Sequence, residues 1–395
     1  MPPLFDRNRH EPLGPAVWGE SRVRAAIAAI CHDAENAFDP DRLWPMHPDD
    51  VEPDTPADGI YRSLYLGAAG MVHGLSRLAA AGLYQPSLVL AAIAGGLHQP
   101  ARISPDEKDA GASLLLGITG ILLVAHRLAS SDKSADDLAA AIAANVEHPA
   151  NELLYGAPGT MLAARAMYLR TGDERFAGLW RASARILLER RGEDGLWTQD
   201  LFGRADRCIG AAHGFAGNIL ALRGAPEWLD DFPAVEASAV TTARAFAIEE
   251  GNLASWPVLP GSSCSHPPRL QWCHGAAGMV TSLAQFAPHD AGHGALMISG
   301  GELVWEAGPV AGNAGLCHGT SGNGFAFLAL FARTADQRWL DRARAFATHG
   351  LDQVDRLRAA TGQGHYTLFT GAIGAAFLAA ACLIQDPRFP ALDDL

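Results

Sequence analysis

Two short stretches of the chain carry residues that can do chemistry together: Trp272-Cys273-His274-Gly275 and Leu316-Cys317-His318-Gly319. Thiolate sulfur and imidazole nitrogen are soft or borderline donors, so two Cys-His steps brought to one place form a zinc-type ligand set. A lone cysteine or histidine is more often a buried hydrophobe or a satisfied core residue, and it is the duplication that argues against this here. Cys273, His274, Cys317 and His318 together would close a structural site. Three of them would leave a fourth position free for catalysis, and the pattern leaves both arrangements open. A third stretch, Ala212-His213-Gly214, sets His213 at the same distance from its glycine, as a candidate acid/base group for the same place. Glu152-Leu153-Leu154-Tyr155-Gly156 adds a carboxylate and a phenol, groups that serve chemistry or brace helix starts.

The glycines show what must position these residues. The pattern apolar-x-Gly-x-x-Gly recurs with first glycines at 67, 117, 156, 214, 275, 319 and 371, spacings of 50, 39, 58, 61, 44 and 52 residues. After each pair comes a run apolar on nearly every face, such as Phe325 to Phe331, which predicts an enclosed helix. Between these runs lie one-faced helices. From Arg338 to Ala347, Trp339, Leu340, Ala343, Phe346 and Ala347 share a face, and Arg338, Asp341, Arg342 and Arg344 point away from it. Phe176, Leu179, Trp180, Ile186 and Leu187 repeat the stripe. Enclosed and one-faced helices alternating without strand-like runs predict an all-α fold, two helical layers closed into an α/α toroid. The glycines are then needed for close chain approach or positive φ at crowded helix starts. Equivalent ends of neighbouring units converge on one mouth, where the Cys-His steps meet. Pro-rich stretches at Trp44 to Pro56 and Trp256 to Pro268 read as surface loops over that mouth. The whole of residues 1–395 reads as one domain, with repeats from about 63 to 385 and an N-terminal helix and loop over 1–60.

Composition narrows the field. The chain is 49% hydrophobic and 18% charged with net charge −13, which suits a packed core and excludes a basic surface for nucleic acid. Its start has no secretory pattern and no stretch suits a membrane span, so a cytoplasmic, soluble protein is expected. Six widely spaced cysteines read as reduced thiols or metal ligands rather than a disulfide framework.

At these residues the sequence resembles the lanthionine synthetase C (LanC) family, more closely its eukaryotic-type LanC-like branch. The matching stretches are SLYLGAAG from Ser63, ELLYGAPG from Glu152, AAHGFAG from Ala211, WCHGAAG from Trp272, LCHGTSGNGFAFL from Leu316 and TLFTGAIG from Thr367. The two Cys-His stretches in this order are highly specific; the glycine pairs alone are weak. The resemblance implies a toroid of seven inner and seven outer helices with one zinc held by Cys273, Cys317 and His318. His213 matches the family's acid/base histidine. Glu152 falls where bacterial cyclases place an aspartate, and His274, a tyrosine in several of them, is expected beside the metal rather than on it. The unit at Gly156 departs from the pattern: Ala157 stands where LanC-like proteins usually carry arginine. The activity that the resemblance implies is zinc-dependent addition of a thiol to dehydroalanine or dehydrobutyrine, with a dehydrated peptide or protein as substrate, glutathione as an external thiol, and a monomer as the working unit. His213, Glu152, Tyr155 and His274 are the candidate catalytic residues. A zinc-stabilised helical scaffold that binds a peptide or protein partner is the alternative. Helical barrels acting on sugars or isoprenoids need paired carboxylates or an Asp-rich motif, and neither stands out at the glycine mouths.

Overall fold

The structure, a computed structural model, describes residues 4–51, 59–97, 110–201, 203–262 and 267–395, and among these seven helices start directly after the first glycine of a pair and seven others lie between or before them. Numbered in chain order, the first set is α2 (Ala68–Ala80), α4 (Ile118–Leu128), α6 (Ala157–Thr171), α8 (Phe215–Arg223), α10 (Ala276–Leu283), α12 (Thr320–Thr334) and α14 (Ala372–Ile384). The second is α1 (Glu20–Asn36), α3 (Leu90–Gly96), α5 (Asp132–Asn145), α7 (Glu174–Glu189), α9 (Phe232–Ala245), α11 (Ala291–Ala307) and α13 (Gln337–Thr361). The first set forms the inner layer: in α12 every residue from Thr320 to Leu330 is buried, and in α14 every residue from Ile373 to Cys382. The second set is half-buried and outer. The chain opens on an outer helix, and α1 packs against α14.

Helix starts differ between the layers for a physical reason. Five of the outer helices begin with side-chain caps, at Ser131, Asp173, Asp231, Asp290 and Asp336, while α1 and α3 have none. Inner helices begin at glycine with no side-chain cap. Carbonyls of the preceding loop satisfy their first N–H groups instead: Ala68 N bonds Tyr61 O, Phe215 N bonds Cys208 O, Thr320 N bonds Asn313 O and Ala372 N bonds His365 O.

The second glycine of each pair closes the ring. A Cβ on Gly278 would stand 1.9 Å from the Trp272 carbonyl oxygen and 3.0 Å from Ala211 Cβ of the preceding unit. A Cβ on Gly70 would meet Leu368 Cβ of the last unit at 2.9 Å, so the first and last units touch as neighbours do elsewhere. Close approach is therefore general. Positive φ is confined to Gly275 among the seven first glycines, at 96°.

A ribbon of main-chain hydrogen bonds then runs round the mouth through the residues just before these glycines. Tyr65 N bonds Leu115 O at 2.8 Å, Phe369 N bonds Tyr65 O at 3.3 Å and Cys317 N bonds Phe369 O at 2.8 Å. Cys273 N bonds Cys317 O at 3.0 Å, Ala212 N bonds Cys273 O at 3.3 Å and Leu153 N bonds Ala212 O at 3.2 Å. All seven units are threaded on it.

Three expectations need correction. Two antiparallel hairpins interrupt the helices, β1 (Gln199–Leu201) with β2 (Arg204–Asp206) and β3 (Ile248–Glu250) with β4 (Leu253–Ser255), because strands this short leave no periodic signal. The Pro-rich stretches are anchored, not simply draped: Trp44 and Trp256 are buried, each donating its indole N–H at 2.7 Å to a carbonyl, of Ala34 and Ala243. Residues 52–58 and 263–266, with Cys264, lie outside the described residues. On α13, Arg342 and Arg344 do not point away. Arg342 pairs with Glu302 at 2.9 Å over the rings of Trp305 and Trp339, and Arg344 covers Trp18, each lending its alkyl stem to apolar packing.

Candidate active site

The ribbon fixes which side chains meet. Because Cys273 N bonds Cys317 O, the two cysteines sit side by side on adjacent units, and their buried thiols are hydrogen-bonded to each other. The pair is polarised. The bond from Cys317 holds Cys273 below the ordinary thiol value against the opposing effect of burial, helped by Gln271, whose amide Nε2 donates to Cys273 Sγ at 2.8 Å, and by His213. Cys317, which gives that bond, is pushed well up by it and by burial. Tyr65 donates its hydroxyl to Cys317, and burial together with that sulfur lifts the phenol well above its usual range. Tyr65 also stacks on Phe369, with ring centroids 4.7 Å apart.

On one flank stands a carboxylate–imidazole dyad. Glu152, with no exposed surface, receives His213 Nδ1 at 3.0 Å. Its oxygens also accept from the N–H groups of Leu154, Tyr155 and Gly156 at 3.0, 2.6 and 3.3 Å, so Glu152 both braces the start of α6 and orients His213. Burial disfavours a charge on His213, yet the bond and charge of Glu152, with Cys273 opposite, hold its pKa above the ordinary value. Since Nδ1 is committed to Glu152, Nε2 is the atom left to exchange a proton. The ring of His274 lies beside that of His213, centroids 5.9 Å apart, and burial with the His213 charge drives its pKa down to about 3. Its Nδ1 is buried without a partner among the described residues. Tyr155 takes part through its main-chain N–H.

On the other flank His318 lies within electrostatic reach of Asp50 and His365, and burial lowers its pKa. His365 Nε2 bonds Asp50 at 2.5 Å, Thr370 donates to the same carboxylate at 3.0 Å, and His47 stacks on His365 at 4.3 Å. Sequence reasoning missed Tyr65, Gln271, Asp50 and His365. One signal was available: Tyr65 lies two residues before Gly67, as Cys273 and Cys317 lie before theirs. Asp50 belongs to no repeat. Cys208, near Glu152, has its pKa pushed up to about 11 by burial and by the charges of Asp206 and Glu152.

The donor set suits a thiophilic metal on its chemistry: two adjacent sulfurs out of water, one already held as the better acid, with an imidazole on the next residue. Among the described residues no three His, Cys, Asp or Glu side chains are grouped to hold a metal ion.

The model for lanthionine synthetase C-like proteins matches residues 60–393, most of the chain. The chain belongs to this family. A LanC-like protein of Arabidopsis thaliana, GCL1, is 33% identical over 177 residues, which are 42% of this chain and 39% of that protein. The Danio rerio protein named glutathione S-transferase LANCL1 is 34% identical over 130 residues, 31% of each chain. The matched stretches thus span well under half the length of these relatives. Nisin cyclase shares the α/α toroid at a TM-score of 0.56, with 14% identity over 81% of this chain and 88% of that one. As a member of the LanC-like family the chain presents its cysteine pair and its Glu152–His213 dyad at the glycine-lined mouth. No helix among its described residues is long and apolar enough to cross a membrane.

Proposed function

We propose that this protein is a zinc-dependent enzyme that adds a thiol to a dehydroalanine or dehydrobutyrine residue of a peptide or protein, forming a thioether. The observation that carries this reading is the dyad of buried Glu152 and half-buried His213 beside the Cys273–Cys317 pair: an oriented proton carrier near two sulfurs that suit a metal. The thiol belongs to the same peptide, giving lanthionine, or to an external molecule; the likeness to the Danio rerio glutathione S-transferase LANCL1 supports glutathione.

Cys273, Cys317 and His318 would hold the ion. Bound zinc supplies acidity, because a thiol of pKa about 8.5 loses its proton on coordination. Gln271 and Tyr65 donate to the two sulfurs and keep them placed for that role. As the new sulfur–carbon bond forms at the β-carbon, the double-bond electrons move toward the neighbouring carbonyl and an enolate develops. His213, whose imidazolium form Glu152 favours, would give the proton on Nε2 to the α-carbon and regain one from water. The Glu152 carboxylate, bonded to Nδ1, orients the ring and stabilises the imidazolium. His274, kept neutral by burial and the His213 charge, stands beside it.

The test is to measure zinc and turnover together. Wild-type protein should contain one zinc per chain and convert a dehydroalanine peptide plus glutathione to an adduct of the summed mass. Cys317→Ala should lose both while keeping its helical dichroism. Metal-free wild type that still forms adduct overturns the reading, and collapse of the helices in Cys317→Ala would favour a zinc-stabilised scaffold.

A further inference from the structure

At the end of the ring away from the mouth, the last turns of the inner helices bring positive charge together. A cavity of about 410 Å³ beside the mouth, between α1 and α13, has Asp33, Asp49 and Asp355 against a single arginine, Arg358; the far end holds the opposite balance. There a cavity of about 330 Å³ is lined by Arg77, Arg127, Arg165, Arg170, Arg223 and Arg388, facing only two side-chain carboxylates, Asp393 and Asp394. In a chain of net charge −13 this is a marked local reversal.

Pairing leaves a surplus. Arg77 is matched by Asp394 at 3.0 Å, Arg223 by Asp393 at 3.3 Å and Arg388 by Asp386 at 2.6 Å. Arg127 reaches only the main-chain oxygen of Asp394, at 3.1 Å. Arg165 has a buried Nε with no hydrogen-bond partner, and no ion pair engages Arg165 or Arg170 among the described residues. A main-chain carboxylate at Leu395, which also lines the cavity, would still leave guanidiniums in excess. Burial and the neighbouring Arg77 pull Arg127 down to about 10, the mark of uncompensated positive charge. Arg77, Arg127, Arg170 and Arg223 stand in last helical turns, where the helix dipole itself favours a cation. That explains single charges near carbonyl ends. It does not explain three guanidiniums without carboxylate partners turned on a common void, one of them, Arg165, with its Nε out of water and unpartnered, which is costly.

We propose that this cavity binds a phosphate-bearing anion, with Arg127, Arg165 and Arg170 as its principal contacts. The planar guanidinium fork matches phosphate oxygens two at a time, and the volume suits a small phosphate ester or pyrophosphate group rather than a large cofactor. The site lies about 20 Å from the thiol pair, one inner-helix length at 1.5 Å per residue, and does not rest on the reaction proposed above. A free phosphate compound and a phosphorylated lipid headgroup share this chemistry; Leu169, 63% exposed at the rim, would touch the bilayer in the second case.

The experiment is calorimetric titration of the full chain with inorganic pyrophosphate, paired with sedimentation on phosphatidylcholine vesicles with and without a phosphoinositide. One site per chain is expected, weakening as salt rises. Arg170→Gln should weaken it about tenfold, the worth of one charge-assisted contact, and Arg165→Gln with Arg170→Gln should abolish it. Zinc content should be unchanged in both. Sedimentation that pyrophosphate reverses identifies a lipid source, and pyrophosphate binding without sedimentation a soluble one. The proposal is overturned if wild type binds neither probe, or if the variants bind as wild type does. Arg170 is exposed, so the single variant decides the matter even where the double variant fails to fold.

Discussion

Replacing Glu152 by glutamine keeps the shape of the side chain and removes its charge. In the native site one oxygen accepts from Tyr155 N and Gly156 N, the other from Leu154 N and His213 Nδ1. An amide has a single oxygen. If that oxygen keeps the first pair, the NH2 group confronts Leu154 N and leaves one buried N–H orphaned, a cost of about 1–3 kcal/mol in stability. His213 must then offer Nδ1 as an acceptor, which moves its proton to Nε2 in the neutral ring. Its pKa, now held above the ordinary 6.5 by the Glu152 bond and charge against burial, should fall below that value once only Cys273 opposes burial. A general acid must be protonated, so turnover falls as pH rises through this pKa, and the alkaline limb of the profile should move down in the variant. At neutral pH the loss should be a factor of about 10² to 10⁴. The assay is kcat/KM for adduct formation against pH, with zinc measured on the same preparations. An alkaline limb that stays in place refutes the role given to His213; a parallel loss of zinc would make Glu152 part of the metal site.

The packing of the ring predicts two glycine substitutions of opposite sign. Gly278→Ala would drive a methyl group to 1.9 Å from the Trp272 carbonyl and should cost at least the upper end of the usual overpacking range, about 3 kcal/mol. Gly178→Ala, on outer helix α7 with nothing within 4 Å, should gain about 0.5–1 kcal/mol; urea midpoints moving the same way would contradict the assignment of layers. Asp394 supplies a pH prediction. Burial works against its charge, but His73 at 3.4 Å and Arg77 at 3.0 Å hold its pKa below the usual carboxylate range. Its contribution is therefore complete above a pH of about 4 and lost as pH falls below that, so Asp394→Asn should flatten the acid side of the stability curve; an unchanged slope would show the pairing to be inert.

The layers were legible because their signals are local. A glycine pair followed by a run such as Phe325 to Phe331 needs no partner to be read as an enclosed helix start, and Cys273 and Cys317 repeat a register inside the chain itself. The orientation of His213 was legible in part, from its offset, while its bond to Glu152 joins two units and shows only in three dimensions. Tyr65 was missed because its value depends on the first unit meeting the sixth and seventh across the closure. Asp50 and Gln271 sit in loops with no periodic constraint.

The hydrogen-bonded ribbon round the mouth also sets an order of assembly. Cys273 and Cys317 come from consecutive units, so a growing chain can bring their sulfurs together before its last helix exists. Tyr65 cannot reach Cys317 until α14 has docked on α2, a contact between opposite ends of the sequence and among the slowest kinds to form. An open solenoid tolerates the loss of a terminal repeat, since each unit leans only on its neighbours. Here every unit is interior, and the hydroxyl that steadies one of the sulfurs arrives with the closing contact: maturation of the site and completion of the circle are a single event.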